Sequence, residues 1–138
     1  MAEILVIDDE APIRETLKEI LEYENYTVTT ADDGNKGLQL IQKNDYDVVL
    51  CDVKMPGMDG FETCRRLKAD PVTQEIPVIF MTALTDVEDK LRGFTAGGVD
   101  YVTKPIQPEE VWARAYTHIT MHTLQRNLQE KIDELDAF

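Results

Sequence analysis

Apolar and polar positions along this chain change period in the same order five times. Ile4 to Ile7 is a continuous apolar run that ends on Asp8, Asp9 and Glu10. A short apolar run bounded by polar or turn-forming residues reads as a buried strand. Pro12 then suits a first helical turn, and Ile13, Leu17, Ile20 and Leu21 recur on one helical face. Thr27 to Ala31 is a weaker, Thr-rich strand, and Asp33-Gly34 opens a second helix marked by Leu38 and Ile41. Val48 to Cys51 runs straight into Asp52 and a loop broken by Pro56, Gly57 and Gly60. Phe61, Cys64 and Leu67 mark a third helix, with Asp59 and Glu62 at capping-box spacing before it.

The second half repeats the theme. Pro77 opens a fourth strand, Val78 to Met81, which ends at Thr82. Thr85 and Glu88 again have capping-box spacing, Val87, Leu91 and Phe94 share a helical face, and Gly97-Gly98 stops that helix. Val99 to Thr103 is a fifth strand ending at Lys104-Pro105, and Pro108 starts a last helix carrying Val111, Ala115 and Ile119.

Strict alternation implies a parallel sheet with helices on both faces and right-handed crossovers. Strands one, three and four are apolar throughout, as expected when both faces are covered. Strands two and five (TVTTA, VDYVT) are mixed, which marks them as edges. The fold class is therefore α/β: a doubly wound, flavodoxin-like five-stranded parallel sheet in the order 2-1-3-4-5, with an extended C-terminal helix. In that order ligands bind at the carboxyl ends of strands one and three. Those are the strands ending in Asp8, Asp9 and Asp52.

Composition narrows the classes. A length of 138 residues suits one domain with a core, and a 43% hydrophobic share argues against disorder. The net charge of −13 disfavours nucleic acid or an anionic membrane as a direct partner, and admits divalent cations and basic surfaces. No apolar run approaches the ~18 residues of a membrane span, and the N-terminus has no basic region before its apolar stretch. Cys51 and Cys64 lack metal or redox spacing and read as small core residues, which fits a reducing cytoplasm. His118 and His122, one turn apart, read as surface histidines rather than a metal pair.

Asp52 alone either caps its strand in solvent or sits in a site, because a charge leaving the core is costly unless hydrated, paired or metal-bound. The other strand ends favour the site. Clustered carboxylates repel unless a cation satisfies them, and an all-oxygen set of few ligands on short loops suits Mg²⁺. The spacing of a Ca²⁺-binding EF-hand loop is absent. An Asp beside Mg²⁺ can attack phosphorus to give an acyl phosphate. Lys104 is placed to supply an ammonium to that reaction and Thr82 a hydroxyl. Singly, Lys104 would be a solvated loop lysine and Thr82 a turn residue; jointly they complete a site.

ILVIDDE, VVLCDVKMPGMDG, VIFMTA and DYVTKP, in that order and spacing, resemble the receiver domain of two-component response regulators over about residues 3 to 120. The resemblance implies that Asp52 is the phosphoacceptor and that the chain is a phosphorylation-dependent signalling switch rather than an enzyme. The phosphoryl donor would be a phosphohistidine of a sensor histidine kinase or phosphotransfer protein. Asp9, Asp52 and the main-chain carbonyl of Lys54 would ligate Mg²⁺, with Asp8 acting through water, while Lys104 and Thr82 hold phosphoryl oxygens. It also implies a switch in which Thr82 moves toward the phosphoryl group and Tyr101 turns inward, altering the face of helix four, strand five and helix five. Lys104-Pro105 would be cis, and Lys54 and Leu84 would modulate attack of water on the acyl phosphate. Gly98 departs from the family's frequent Ala, which would loosen the turn before strand five, and Gln107 precedes Pro108 where a better N-cap is common.

Other classes fit less well. Aspartyl hydrolases of related fold carry a DxD nucleophile on the first strand, where this chain has DDE. A pseudo-receiver would have lost a site residue, and none is lost. A nucleotide-binding domain would show GxGxxG or GxxxxGK[ST], and neither is present.

The receiver is expected over residues 1–120 and a helical extension over 121–138. In the extension Met121, Leu128 and Leu135 repeat at seven, with Leu124, Lys131 and Phe138 on the complementary position. That pattern is either a dimerising or signal-transmitting helix leading to an effector, or a frayed tail; the first is the expectation. A homodimer through this helix follows from it. No DNA-binding or enzymatic motif is present, so the chain is a stand-alone receiver or a piece of a longer one.

Overall fold

The computed structural model describes residues 2–83 and 87–137, Glu88 by its backbone only. Leu84, the Thr85–Glu88 capping pair and Phe138 lie outside those described residues. The elements run β1 (Glu3–Ile7), α1 (Ala11–Tyr23), β2 (Thr27–Ala31), α2 (Gly34–Lys43), β3 (Val48–Asp52), α3 (Gly60–Ala69), β4 (Val78–Thr82), α4 (Val87–Ala96), β5 (Asp100–Thr103) and α5 (Pro108–Asp136). All strand pairs are parallel and the order is β2-β1-β3-β4-β5, the doubly wound order expected from the sequence.

Alternation along each strand divides the apolar side chains between two cores. Leu5, Ile7, Val49, Cys51 and Phe80 face the layer of α2, α3 and α4, where Phe61 and Leu67 pack. Ile4, Val6, Val48, Leu50 and Ile79 face α1 and α5, meeting Leu17, Leu21, Val111 and Ala115. Cys51 and Cys64 are free and buried, and burial pushes the Cys51 thiol well above its ordinary range, so both act as small apolar residues.

The strand tips lie level. Ile7 pairs with Cys51, Asp52 with Met81 and Thr82 with Thr103. Asp52 is the last residue of β3 rather than the first beyond it, so its backbone is held in the ladder. The loop after β3 is then drawn tight against the sheet: Val53 N–H donates to Met81 O at 3.1 Å and Gly60 N–H to Val53 O at 2.9 Å. A β-carbon on Gly60 would collide with the carbonyl oxygen of Asp52, so only glycine lets α3 begin there.

Helix starts follow the capping residues, with one difference. Asp33 and Asp59 accept the N–H groups of Lys36 and Glu62 at 2.8 and 2.9 Å. Glu62 does not reach back to close a capping box; its carboxylate is taken by Arg65 and Arg66, so the box is half formed. Gln107 makes no side-chain cap, as its residue type suggested.

A β-carbon on Gly98 would strike the Phe80 ring, so the glycine leaves room for that aromatic side chain. Lys104–Pro105 is cis. No helix among the described residues is long and apolar enough to cross a membrane.

The histidines differ from the surface reading. His118 is half-buried with Nε2 2.9 Å from Asp100 Oδ2, which Arg114 also approaches at 3.2 Å. His122 is buried on the sheet-facing side of α5, near Asp45, Asp47, Glu75 and Arg126, and its Nδ1 has no partner among the described residues. Sequence spacing alone could not tell that α5 keeps contact with the domain past residue 120.

Two outcomes follow. Gly60→Ala should destabilise the fold by about 1–3 kcal/mol in urea unfolding, because the clash is with backbone that cannot move aside. Burial, reinforced by Arg126 and opposed by Asp47, Asp45 and Glu75, lowers the pKa of His122 below 6.5. The folded state then binds fewer protons than the unfolded chain at this site. The stability it protects is present above pH 6.5 and is lost as the pH falls through the lowered value. His122→Gln should flatten that part of the stability–pH curve; an unchanged slope would remove His122 from the account.

Candidate functional site

Asp8 leaves β1, Asp52 ends β3, Thr82 ends β4 and Lys104 follows β5, so four strand tips deliver four polar side chains to one edge of the sheet. Asp8 is fully buried and Asp52 nearly so, whereas Asp9 is exposed. One carboxylate oxygen from each of Asp8, Asp9 and Asp52 lies within 4.8 Å of the others. The sequence placed these three in one crevice, and the structure brings them together.

Lys104 Nζ stands 3.0 Å from Asp8 Oδ2 and 3.2 Å from Asp52 Oδ1, with Glu10 Oε2 farther off at 3.9 Å. Its approach to Asp8 Oδ2 is electrostatic, since that oxygen takes no directed hydrogen bond among the described residues. Asp8 Oδ1 accepts the Glu10 N–H at 2.9 Å. Burial works against the Lys104 charge, but Asp8 and Asp52 together hold its pKa above the ordinary lysine value. Burial also pushes Asp52 up to about 6, helped by the Asp8 charge and opposed by Lys104.

A single ammonium among these carboxylates leaves an excess of negative charge in a partly buried place. The all-oxygen set of three carboxylates is the chemistry of Mg²⁺. Lys54, whose main-chain carbonyl was expected in that set, follows Asp52 by two residues in the exposed loop and keeps its side chain in solvent. Thr82 is buried at the tip of β4, and its carbonyl accepts the Lys104 N–H at 2.9 Å, which ties the two residues together.

Tyr101 is already inward in this structure. Its ring packs 5.7 Å from Phe80 and 5.5 Å from Phe94, centroid to centroid. Its hydroxyl reaches the α4 carbonyls of Lys90 at 2.7 Å and Asp89 at 2.9 Å. Gly93 makes this possible, because a β-carbon there would collide with the hydroxyl.

Two contributors were not foreseen. Arg14, on α1, donates to the main-chain carbonyl of Asp8 at 2.8 Å and steadies the acidic turn from the side. Gly60 sets the distance of α3 from Asp52. The position of Gly60 in a turn-rich loop was a signal; Arg14 on a helix gave none.

Residues 4–116 match the model of the response regulator receiver domain. The response regulator PleD of Caulobacter vibrioides is 46% identical over 114 residues, covering 82% of this chain and 25% of that protein. The DNA-binding dual master transcriptional regulator RpaA of a Synechocystis species is 42% identical over 114 residues, covering 83% and 47%. The chain thus spans half or less of the length of these curated relatives. Among solved structures, a response regulator receiver domain protein from Clostridium thermocellum superposes with a TM-score of 0.83 at 31% identity, covering 91% of this chain and 99% of that one. The chemotaxis response regulator CheY4 of Vibrio cholerae gives 0.82 at 32% identity, covering 86% and 98%.

Asp8→Asn should relieve carboxylate repulsion and raise stability by about 1 kcal/mol in chelator, while weakening Mg²⁺ binding roughly 10–100-fold. Urea unfolding with and without the ion, beside calorimetric titration of Mg²⁺, measures both. A variant that loses stability and keeps its Mg²⁺ affinity would contradict the repulsion argument.

Proposed function

The chain belongs to the response regulator receiver domain family of two-component signalling, and from that premise we propose that it is a phosphorylation-dependent switch whose acceptor is Asp52. The observation that supports this best is the Lys104 ammonium shared between Asp8 and Asp52 at the mouth of the acidic cluster.

The donor in this reading is a phosphohistidine on a sensor histidine kinase or a phosphotransfer protein. An O–P bond forms at Asp52, the P–N bond breaks, and the imidazole leaves with a proton. With a pKa of about 6, Asp52 is mostly ionised at neutral pH and more basic than a solvent-exposed Asp, and both properties favour attack. Asp9, Asp52 and the main-chain carbonyl of Lys54 would hold Mg²⁺, with Asp8 acting through water. Bound there, the ion supplies charge neutralisation for the phosphoryl oxygens.

Lys104 exchanges its contact with Asp52 for one with a phosphoryl oxygen, and the Thr82 hydroxyl takes another. Movement of Thr82 favours the inward Tyr101 ring and so alters the face made by α4, β5 and α5. That face controls a partner protein or an effector domain. The domain acts as a stoichiometric acceptor that assists its own phosphorylation and dephosphorylation, in the cytoplasm, with no direct contact to nucleic acid or membrane. Residues 1–120 form this switch and residues 121–138 its helical extension.

Incubation with Mg²⁺ and a small phosphodonor should add one phosphoryl group, read by intact mass. Asp52→Asn and removal of the metal should each abolish the gain, and Lys104→Ala should slow it by roughly 10²–10³-fold. Label retained in Asp52→Asn would overturn the assignment.

A further inference from the structure

His122 is the last buried side chain of α5; every described residue after it is exposed. Its ring Nδ1 is buried and has no hydrogen-bond partner among the described residues. That absence restricts the charge the ring can carry. A neutral imidazole can keep its proton on Nε2 and leave Nδ1 as a bare acceptor. An imidazolium must donate from both nitrogens, and a buried Nδ1–H without an acceptor costs more. Burial and the neighbouring Arg126 accordingly hold the pKa of His122 below its ordinary value. Carboxylates face the ring from two other elements: Asp45 and Asp47 in the turn between α2 and β3, and Glu75 in the loop between α3 and β4. The first two are engaged elsewhere. Arg126 reaches Asp45 at 3.1 Å and Asp47 at 3.8 Å, and Asp47 also accepts the Glu3 N–H at 2.8 Å. Glu75 is exposed to screening water, and Lys43 borders the same crevice with a positive charge.

We propose that His122 is an acid-sensitive latch: when it takes a proton its ring leaves the domain, and the part of α5 beyond Ile119 undocks while the sheet and the acidic site stay folded. Outside the domain both ring N–H groups reach water. A crevice of about 530 Å³, lined by Thr73, Glu75, Ile76 and His122 itself, borders the ring and gives it a route out. Past His122, the ion pairs from α5 to the domain are those of Arg126 alone among the described residues. Asp45 and Arg126 are both exposed, and exposed pairs hold a helix weakly. Freed of the domain, a segment this short is marginal as an isolated helix in water. Acid thus turns a helix of fixed direction into a frayed one, and neutral pH restores it.

The latch stands apart from Asp52 and does not depend on how that residue is used. Amide hydrogen exchange of the whole chain, corrected for the intrinsic effect of pH, tests it between about pH 7.5 and about pH 5. Amides of α5 beyond His122 should lose protection roughly tenfold or more across that range, while those of β1 and β3 keep theirs. Val72 and Gln129 line the crevice from opposite elements. Spin labels on Val72→Cys/Gln129→Cys should move apart in acid, with Cys51 and Cys64 too buried to take a label. His122→Leu, which takes no proton and buries an apolar side chain, should keep the helix docked throughout. Protection unchanged in acid, a loss shared by β1 and β3, a label distance indifferent to pH, or undocking of His122→Leu at any pH would each overturn the proposal.

Discussion

Like charges forced together at the ends of neighbouring strands are the constraint on which this structure turns. Asp8 and Asp52 are buried beside one another because β1 and β3 are adjacent and in register, and Asp9 completes the cluster. Water cannot screen them fully, so the chain brings Lys104 across from β5 to hold two of the three. The compensation is incomplete, and a domain with an excess of buried negative charge is less stable than it could be. That deficit is what an added cation at the strand tips would relieve.

The surrounding fold serves to keep the charges from moving apart. Asp52 lies within its strand rather than in the loop beyond it. Gly60 lets α3 press on the carbonyl of Asp52, and Arg14 grips the carbonyl of Asp8. At β4 and β5 the backbone bond from Lys104 to Thr82 joins the cation to the hydroxyl beside it. A shift at either is therefore felt by both. From Thr82 the route to the surface is short, because β5 carries Tyr101 into the aromatic cluster under α4. The glycines at positions 93 and 98 open the space that the rings of Tyr101 and Phe80 occupy, so the inward ring is well packed.

Helix α5 joins the two ends of the molecule. Its first turns line the core with Val111 and Ala115, and its later turns are pinned by Arg126 at the edge of the sheet opposite the acidic cluster. The helix is held from its first turns to Arg126, so its direction relative to the domain is set by those contacts.

Much of this was legible in the residues. Short apolar runs, helical faces and the punctuation of Gly and Pro marked the ten elements, because they follow from local geometry. The strand compositions marked β2 and β5 as edges, because an edge strand tolerates polar residues along its length where a central one is apolar until its tip. Asp8, Asp9, Asp52, Thr82 and Lys104 could be named because each sits at a strand end. Tertiary structure alone decided the rest: that His122 is buried, that Glu62 turns to arginines instead of closing a cap, that Gly98 lies against the Phe80 ring, and that Tyr101 packs between Phe80 and Phe94. Each depends on which side chain from a distant part of the chain arrives at a given point. Local pattern records the period of an element and its exposure on average, whereas packing is settled only when two elements meet.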